Sequence, residues 1–228
     1  MKSTRLVFIG GYQVGYSVVN FIASELGRAI QADTTLGLTW YDAVHKPNLV
    51  ENVSKGAILV THSMGASVLR DIPNSTNHPA VTATKVVMAM APTILSLPKY
   101  VSRAMNYGKI QEGHPGIKAK IDKISDDRPG IFDKYQVPWG LAQIAKQFFS
   151  GRQIDRVNLA YEINQSRGDR QTSILTSEHD QYYPASPVEK VRATRLHVLI
   201  SVIPWTHDFV ADPASLYAEH QRQIGEII

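Results

Sequence analysis

Short runs of consecutive apolar residues recur along the chain, and most of them end at glycine or polar residues. The first run is Leu6-Val7-Phe8-Ile9, which leads directly into Gly10-Gly11. Runs of this length without alternation are typical of strands buried on both faces of a parallel sheet. The pattern predicts strands at 6–9, 34–40, 56–61, 85–90, 171–177 and 196–202.

Segments with apolar residues at helical spacing separate these runs. They predict helices at 16–30, 48–54, 66–72 and about 212–227. Strands that alternate with helices indicate an α/β protein with a mostly parallel sheet of about six strands, flanked by helices. In such sheets, functional sites lie beyond the carboxyl ends of the strands.

The alternation is interrupted between residues 94 and 170. Helical stretches at 94–110, 141–150 and 154–165 are separated there by turns rich in glycine and proline. We therefore predict a helical insertion at 94–170, before the strand at 171–177, in a core formed by 1–93 and 171–228.

Composition excludes several classes of protein. With 228 residues, 43% hydrophobic and 19% charged, the chain suits one globular α/β domain with an insertion. It has no cysteine, which excludes disulfides, thiolate metal sites and a cysteine nucleophile. No Lys/Arg run marks a nucleic-acid surface, and no His-Glu-x-x-His or similar ligand cluster occurs. We expect no nucleic-acid partner, no metal and no other cofactor.

The net charge of +4 has a definite location. Residues 94–152 contain ten Lys/Arg and five Asp/Glu, whereas the rest of the chain is close to neutral. Such a segment is either a solvated basic surface or a site for an anionic substrate or lipid headgroup, and the first interpretation is favoured.

The amino terminus and the overall hydropathy predict a cytoplasmic protein. The apolar run at 6–9 is too short for the core of a signal peptide. No stretch approaches the ~20 apolar residues that cross a bilayer. The glycine-rich stretch at 10–15 has tyrosine at its third position and again after its last glycine, so it fits neither a dinucleotide fingerprint nor a P-loop.

Ser63 lies where the apolar run at 57–60 gives way to the predicted helix at 66–72. The surrounding sequence is Thr61-His62-Ser63-Met64-Gly65. A serine at a sharp strand-to-helix turn holds its hydroxyl clear of the backbone. The N–H of Met64 then begins a helix and can stabilise a developing oxyanion.

This stretch resembles the nucleophile elbow of the α/β-hydrolase superfamily, G-x-S-x-G, in which His-Ser-Met-Gly is frequent. Thr61 departs from it, because a glycine usually occupies that position. The resemblance spans nearly the whole chain and implies that Ser63 is a catalytic nucleophile. Helical caps are inserted after the corresponding strand in this superfamily, so the resemblance implies that residues 94–170 form a cap, or lid, over the serine.

The resemblance extends to an acid and a base. Asp180 with Pro184 resembles the acid loop, although Glu178 and His179 compete for that role. His207, followed by Asp-Phe in the loop after the last predicted strand, resembles the base loop. The order Ser63, Asp180, His207 is the order of this superfamily.

Further site residues follow from the same resemblance. Gly10-Gly11-Tyr12 resembles the loop that supplies the second oxyanion donor, so Met64 and Tyr12 are the expected donors and Gly11 lies at the substrate. The interpretation as a structural glycine turn stays open. Bulky cap residues suit an acyl or aromatic pocket, and two or three are expected to touch substrate, with Tyr100, Trp139 and Phe148 as candidates.

The implied activity is that of a serine hydrolase that cleaves a small carboxylic ester through an acyl-enzyme on Ser63. A thioesterase, an acyltransferase or a carbon–carbon bond hydrolase would use the same triad. A non-catalytic hydrolase-like binding protein is a further alternative, favoured by Thr61, Thr206 and the absence of histidine at Gly10. The expected partner is a small ester or acyl compound, and the sequence leaves a homodimer open.

Overall fold

The computed structural model describes residues 4–12, 15–70, 77–94, 98, 99, 102, 136–168, 172–177, 180 and 182–203. Six strands are present in this part of the chain: β1 Arg5–Ile9, β2 Thr34–Leu38, β3 Ile58–His62, β4 Lys85–Ala89, β5 Thr172–Ser177 and β6 Leu199–Ile203. The helices are α1 Tyr16–Ala29, α2 Trp40–His45, α3 Pro47–Ser54, α4 Pro79–Thr82, α5 Gln136–Phe149, α6 Arg156–Arg167 and α7 Pro187–Arg195, with a 3-10 helix over Ser63–Leu69.

The six strands form one sheet in the order β2-β1-β3-β4-β5-β6, and every neighbouring pair is parallel. From β1 the chain first builds outward to β2 and then crosses to the other side of β1 to form β3. The switch point of the topology therefore lies between β1 and β3. In doubly wound sheets a crevice opens at this point, beyond the carboxyl ends of the strands.

Both faces of the sheet are covered. One face packs Leu6, Phe8 and Val60 against helix α1, and alternate residues, such as Val7 and Leu59, pack on the opposite face. Successive side chains of a strand point to opposite faces, so double coverage requires continuous apolar runs. This explains the uninterrupted hydrophobic pattern, and the predicted mostly parallel sheet of about six strands, flanked by helices, is confirmed.

Helix α6 packs against the sheet. Its residues Val157, Ala160 and Ile163 share a buried cluster with Val86 of β4 and Ile174 of β5. Residues 156–167 lie in the segment predicted as a cap, yet they form part of the helical layer on the sheet. The division of the chain at 94 and 170 stays a prediction.

Several element boundaries differ from the sequence prediction for identifiable reasons. Strand β2 ends at Leu38 because Thr39 accepts a hydrogen bond from the Asp42 N–H and caps helix α2, which the sequence analysis missed. Helix α5 begins at 136 and not at 141, since Pro138 is tolerated in a first helical turn. Strand β6 begins at Leu199 because the residues before it close helix α7.

The helix predicted at 212–227 and nearly all of that predicted at 94–110 lie outside the described residues. Among the helices that are described, none is sufficiently long and apolar to cross a bilayer.

Candidate active site

Ser63 follows β3 directly and occupies a strained backbone conformation. Its φ is +51°, in the left-handed region, where a non-glycine residue costs about 1–3 kcal/mol. The residue begins a 3-10 helix and not the α-helix predicted at 66–72. Strain of this kind persists only where the surrounding structure enforces it, and it is common at functional sites.

Gly65 shows what enforces the turn. A Cβ atom at this position would lie 2.6 Å from the carbonyl oxygens of both Ile9 and Gly10. The 3-10 helix therefore packs directly on the backbone that leaves β1, and only glycine permits this approach. Strands β1 and β3 are neighbours, so the glycine joins the two loops at the switch point of the sheet.

The loop after β1 lies across Ser63. A Cβ added to Gly11 would be 2.7 Å from the serine Cβ and 3.2 Å from its Oγ. The Gly10 N–H donates to the Leu38 carbonyl at 2.9 Å, which ties this loop to the end of β2. Of the residues predicted to surround the nucleophile, Gly11 thus lies against it.

Asp180 is almost fully buried, at 1% exposure, in the turn that follows β5. Its Oδ1 accepts hydrogen bonds from the N–H groups of Tyr182 and Tyr183, both at 2.8 Å. Two backbone donors on one carboxylate oxygen fix the orientation of the side chain. The competing residues Glu178 and His179 lie outside the described part of the chain.

We term the turn that carries Asp180 the acid turn; its described residues are 180 and 182–185, and the Tyr183 side chain joins it to the serine region. The Tyr183 hydroxyl donates to the Met64 sulfur at 3.8 Å, and both residues are buried. A strand, β4, separates β3 from β5 in the sheet. Tyr183 therefore bridges two loops that leave non-adjacent strands.

Two predicted site residues, the base His207 and the pocket residue Tyr100, lie outside the described residues. Trp139 and Phe148 are described, and both pack against a small buried cluster beside the serine. This cluster consists of Trp40, Met64 and Ile144, and Tyr12 also packs against it. We call these six residues the apolar wall.

Helix α5 forms one side of the apolar wall. A Cβ at Gly140 would lie 2.4 Å from the Tyr12 ring, so the helix rests on the loop after β1. Trp139 meets Trp40 edge-on with ring centroids 4.9 Å apart. The Trp40 Nε1–H donates to the Ser67 Oγ at 2.7 Å, which anchors the wall to the 3-10 helix.

Sequence reasoning missed Trp40 and Ile144 as neighbours of the site. Trp40 comes two residues after the carboxyl end of β2, and the rule that sites lie at this edge could have indicated it. Ile144 gave no such signal, because its position depends on how α5 docks. Among the described residues, no group of three or more His, Asp or Glu side chains could hold a metal ion.

Thr61, the departure from the usual elbow sequence, is accommodated inside β3. It is fully buried, and its hydroxyl has no hydrogen-bond partner among the described residues. We expect Thr61→Val to stabilise the protein by about 1 kcal/mol, because it removes a buried unsatisfied polar group at nearly constant volume. Urea unfolding of the two proteins measures this, and a loss of stability would mean that the hydroxyl has a partner in the folded protein.

No protein-family model matches the sequence, and no curated protein matches it significantly. Solved structures match over nearly the whole chain. An E-2-(acetamidomethylene)succinate hydrolase is 16% identical with a TM-score of 0.58, covering 98% of this chain and 92% of that one.

Two further solved structures agree with this match. A Pyrococcus furiosus esterase is 14% identical with a TM-score of 0.53, covering 99% of this chain and 81% of that one. An α/β-hydrolase fold protein from Burkholderia ambifaria is 17% identical with a TM-score of 0.51, covering 97% and 91%. The chain has the α/β-hydrolase fold.

Proposed function

We propose that this protein is a serine hydrolase that cleaves a small carboxylic ester through an acyl-enzyme on Ser63. The observation that carries the proposal is the position of Ser63, held at φ +51° at the carboxyl end of β3 and covered by the loop that contains Gly11. Solved structures with this fold include a hydrolase and an esterase. Met90, at the exit of β4, has a similar φ of +48°, so the strain at Ser63 supports the proposal only together with the glycine loop packed against its side chain.

In the proposed reaction, His207 removes the proton from the Ser63 hydroxyl as the oxygen attacks the ester carbonyl. Asp180 holds the imidazole in the required tautomer and stabilises the imidazolium. The proton then passes to the leaving alcohol, and the acyl group stays on Ser63 until water, activated by the same imidazole, releases the acid.

The N–H groups of Met64 and Tyr12 are the proposed oxyanion donors. Gly65 packs the loops that carry them against each other, so their relative position is set before substrate binds. Donors fixed in advance need little reorganisation during the reaction, and removing one such donor typically costs ~10²–10³-fold in turnover.

The apolar wall indicates what the acyl part of the substrate resembles. It combines buried Trp40, Met64 and Ile144 with the partly exposed Trp139 and Phe148 beside the serine. A wall of this composition favours a small aliphatic or aromatic acyl group over a charged one. The same site could instead cleave a thioester, an amide or a carbon–carbon bond, and the substrates used in the test must distinguish these alternatives.

The proposal is tested with p-nitrophenyl esters of two to eight acyl carbons, the matching thioesters, and a fluorophosphonate probe. We expect turnover of short esters and covalent labelling by the probe. A protein that neither turns over esters nor reacts with the probe would instead be a hydrolase-like binding protein.

Gly11→Ala tests the role of the loop across the serine. The added methyl would lie 2.7 Å from the Ser63 Cβ, so the loop or the serine must move. A misplacement of about 1 Å at a reacting group can cost ~10²-fold, and we expect kcat for p-nitrophenyl acetate to fall by about that factor. Turnover within threefold of wild type would show that the position of this loop does not matter for the reaction.

A further inference from the structure

Arg156 is fully buried at the start of helix α6, and its partner Glu189 lies in the first turn of α7 with 5% exposure. The Arg156 Nε–H donates to Glu189 Oε1, and its Nη2–H donates to Oε2, both at 2.6 Å. This two-pronged geometry is the strongest arrangement available to an arginine and a carboxylate. In many proteins a buried ion pair of this kind contributes little net stability, so stability alone does not account for its presence here.

The remaining guanidinium hydrogens go to backbone carbonyls. Nη1 donates to the carbonyls of Ala91 and Tyr183, each at 3.0 Å, and Nη2 donates to that of Pro184 at 3.5 Å. An arginine side chain has five N–H donors in a fixed plane, and here all five are used. One planar guanidinium group thus connects the segment after β4, the acid turn and helix α7.

The acid turn receives two of these five hydrogen bonds, at Tyr183 and Pro184. The Ala185 N–H donates to the Ser177 carbonyl at 2.8 Å, which joins the turn to the end of β5. Arg156 holds the turn at Tyr183 and Pro184. Tyr183 in turn donates its N–H to Asp180 and its hydroxyl to the Met64 sulfur.

We propose that Arg156 and Glu189 act as a positioning pair that sets, through Tyr183, where the Asp180 carboxylate lies relative to Ser63. The pair does not touch the substrate. Its effect on catalysis rests on the proposed function of the site, whereas its effect on the acid turn does not.

Arg156→Lys is the first test. Lysine keeps the charge opposite Glu189, but an ammonium group has three donors and no planar fork, so it cannot serve the carboxylate and three carbonyls together. We expect kcat on a short p-nitrophenyl ester to fall about tenfold or more, with KM changed less than about threefold. Hydrogen exchange of the Tyr182 and Tyr183 amides, read by mass spectrometry, should become about tenfold faster.

The double variant Arg156→Met/Glu189→Met is the second test, and it covers the case in which the lysine variant does not fold. Replacing a buried ion pair by apolar residues of similar volume is often neutral for stability. The carbonyls of Ala91, Tyr183 and Pro184 also lose their donor, so the double variant should be less stable than wild type. Below its unfolding temperature it should show the same loss of kcat and the same faster exchange in the acid turn.

Two controls separate positioning from a general loss of stability. Arg192→Met removes the Asp155–Arg192 ion pair, which also joins α6 to α7 but makes no hydrogen bond to the described residues of the acid turn. Ile163→Ala creates a cavity in the core face of α6 and lowers stability broadly. Both controls should keep kcat within about threefold of wild type wherever the protein is folded.

The outcomes are distinct. Unchanged exchange of the Tyr182 and Tyr183 amides in the folded variants overturns the proposal, as does a loss of kcat that Ile163→Ala reproduces at equal stability. If the wild-type protein turns over no ester, the proposed function fails, and the exchange measurement alone then decides whether the pair holds the acid turn.

Discussion

Ser63→Ala is expected to abolish measurable ester hydrolysis, a loss of at least about 10³-fold in kcat, while the protein remains folded. The reason is chemical: without the hydroxyl no acyl-enzyme forms, and what remains is activity from the oxyanion donors and substrate binding. Alanine keeps the Cβ that packs beside Gly11, so stability should change by less than about 1 kcal/mol. Steady-state kinetics on a short p-nitrophenyl ester and thermal unfolding measure the two quantities.

Ser54→Ala is the matched control for this substitution. Ser54 is equally a buried serine, but it ends helix α3, away from the candidate site. The control should turn over ester at the wild-type rate. Undiminished activity in Ser63→Ala would remove this serine from the mechanism, whatever the control does.

Asp180→Asn is expected to lower kcat by up to about 10⁴-fold with little change in KM, since the asparagine cannot stabilise the imidazolium and favours the wrong tautomer of the base. The substitution removes the negative charge of the carboxylate and keeps the shape of the side chain. The asparagine Oδ1 can still accept the N–H bonds of Tyr182 and Tyr183, so the acid turn should keep its conformation. Steady-state kinetics give the loss, and amide exchange of the turn shows whether its structure is retained.

Asp155→Asn is the control for the acid. Asp155 is also buried and also accepts two backbone N–H bonds, from Val157 and Asn158, where it caps helix α6. The same chemical change there should alter stability but not kcat. If Asp180→Asn reduced kcat no more than Asp155→Asn does, Asp180 would not be the acid of the triad.

The sheet could be predicted from the sequence because each strand is marked by its own run of consecutive residues. A strand covered on both faces must be apolar at successive positions, and runs such as Leu6-Val7-Phe8-Ile9 record this directly. The serine turn is local in the same sense, since the glycine that permits it stands two residues after Ser63. The roles given to Ser63, Asp180 and His207 stay predictions until they are tested by substitution.

What could not be predicted depends on contacts between distant residues. Arg156 and Glu189 are 33 positions apart, and each taken alone resembles a surface residue at the start of a helix. The packing of α5 on Tyr12 through Gly140 depends on how this helix docks, and no periodicity encodes it. Pro138 belongs to one of the glycine- and proline-rich stretches that predict turns, yet it stands in the first turn of α5, where proline fits as well.

The central claim is that Ser63 is the nucleophile, and locating a covalent adduct tests it most directly. After reaction with a fluorophosphonate probe and digestion with trypsin, the peptide 56–70 contains both Ser63 and Ser67, so fragmentation must distinguish them. We predict one adduct per chain, on Ser63 and absent from Ser63→Ala. An adduct on Ser67, an adduct elsewhere in the chain or an unmodified protein that still hydrolyses esters would contradict the account.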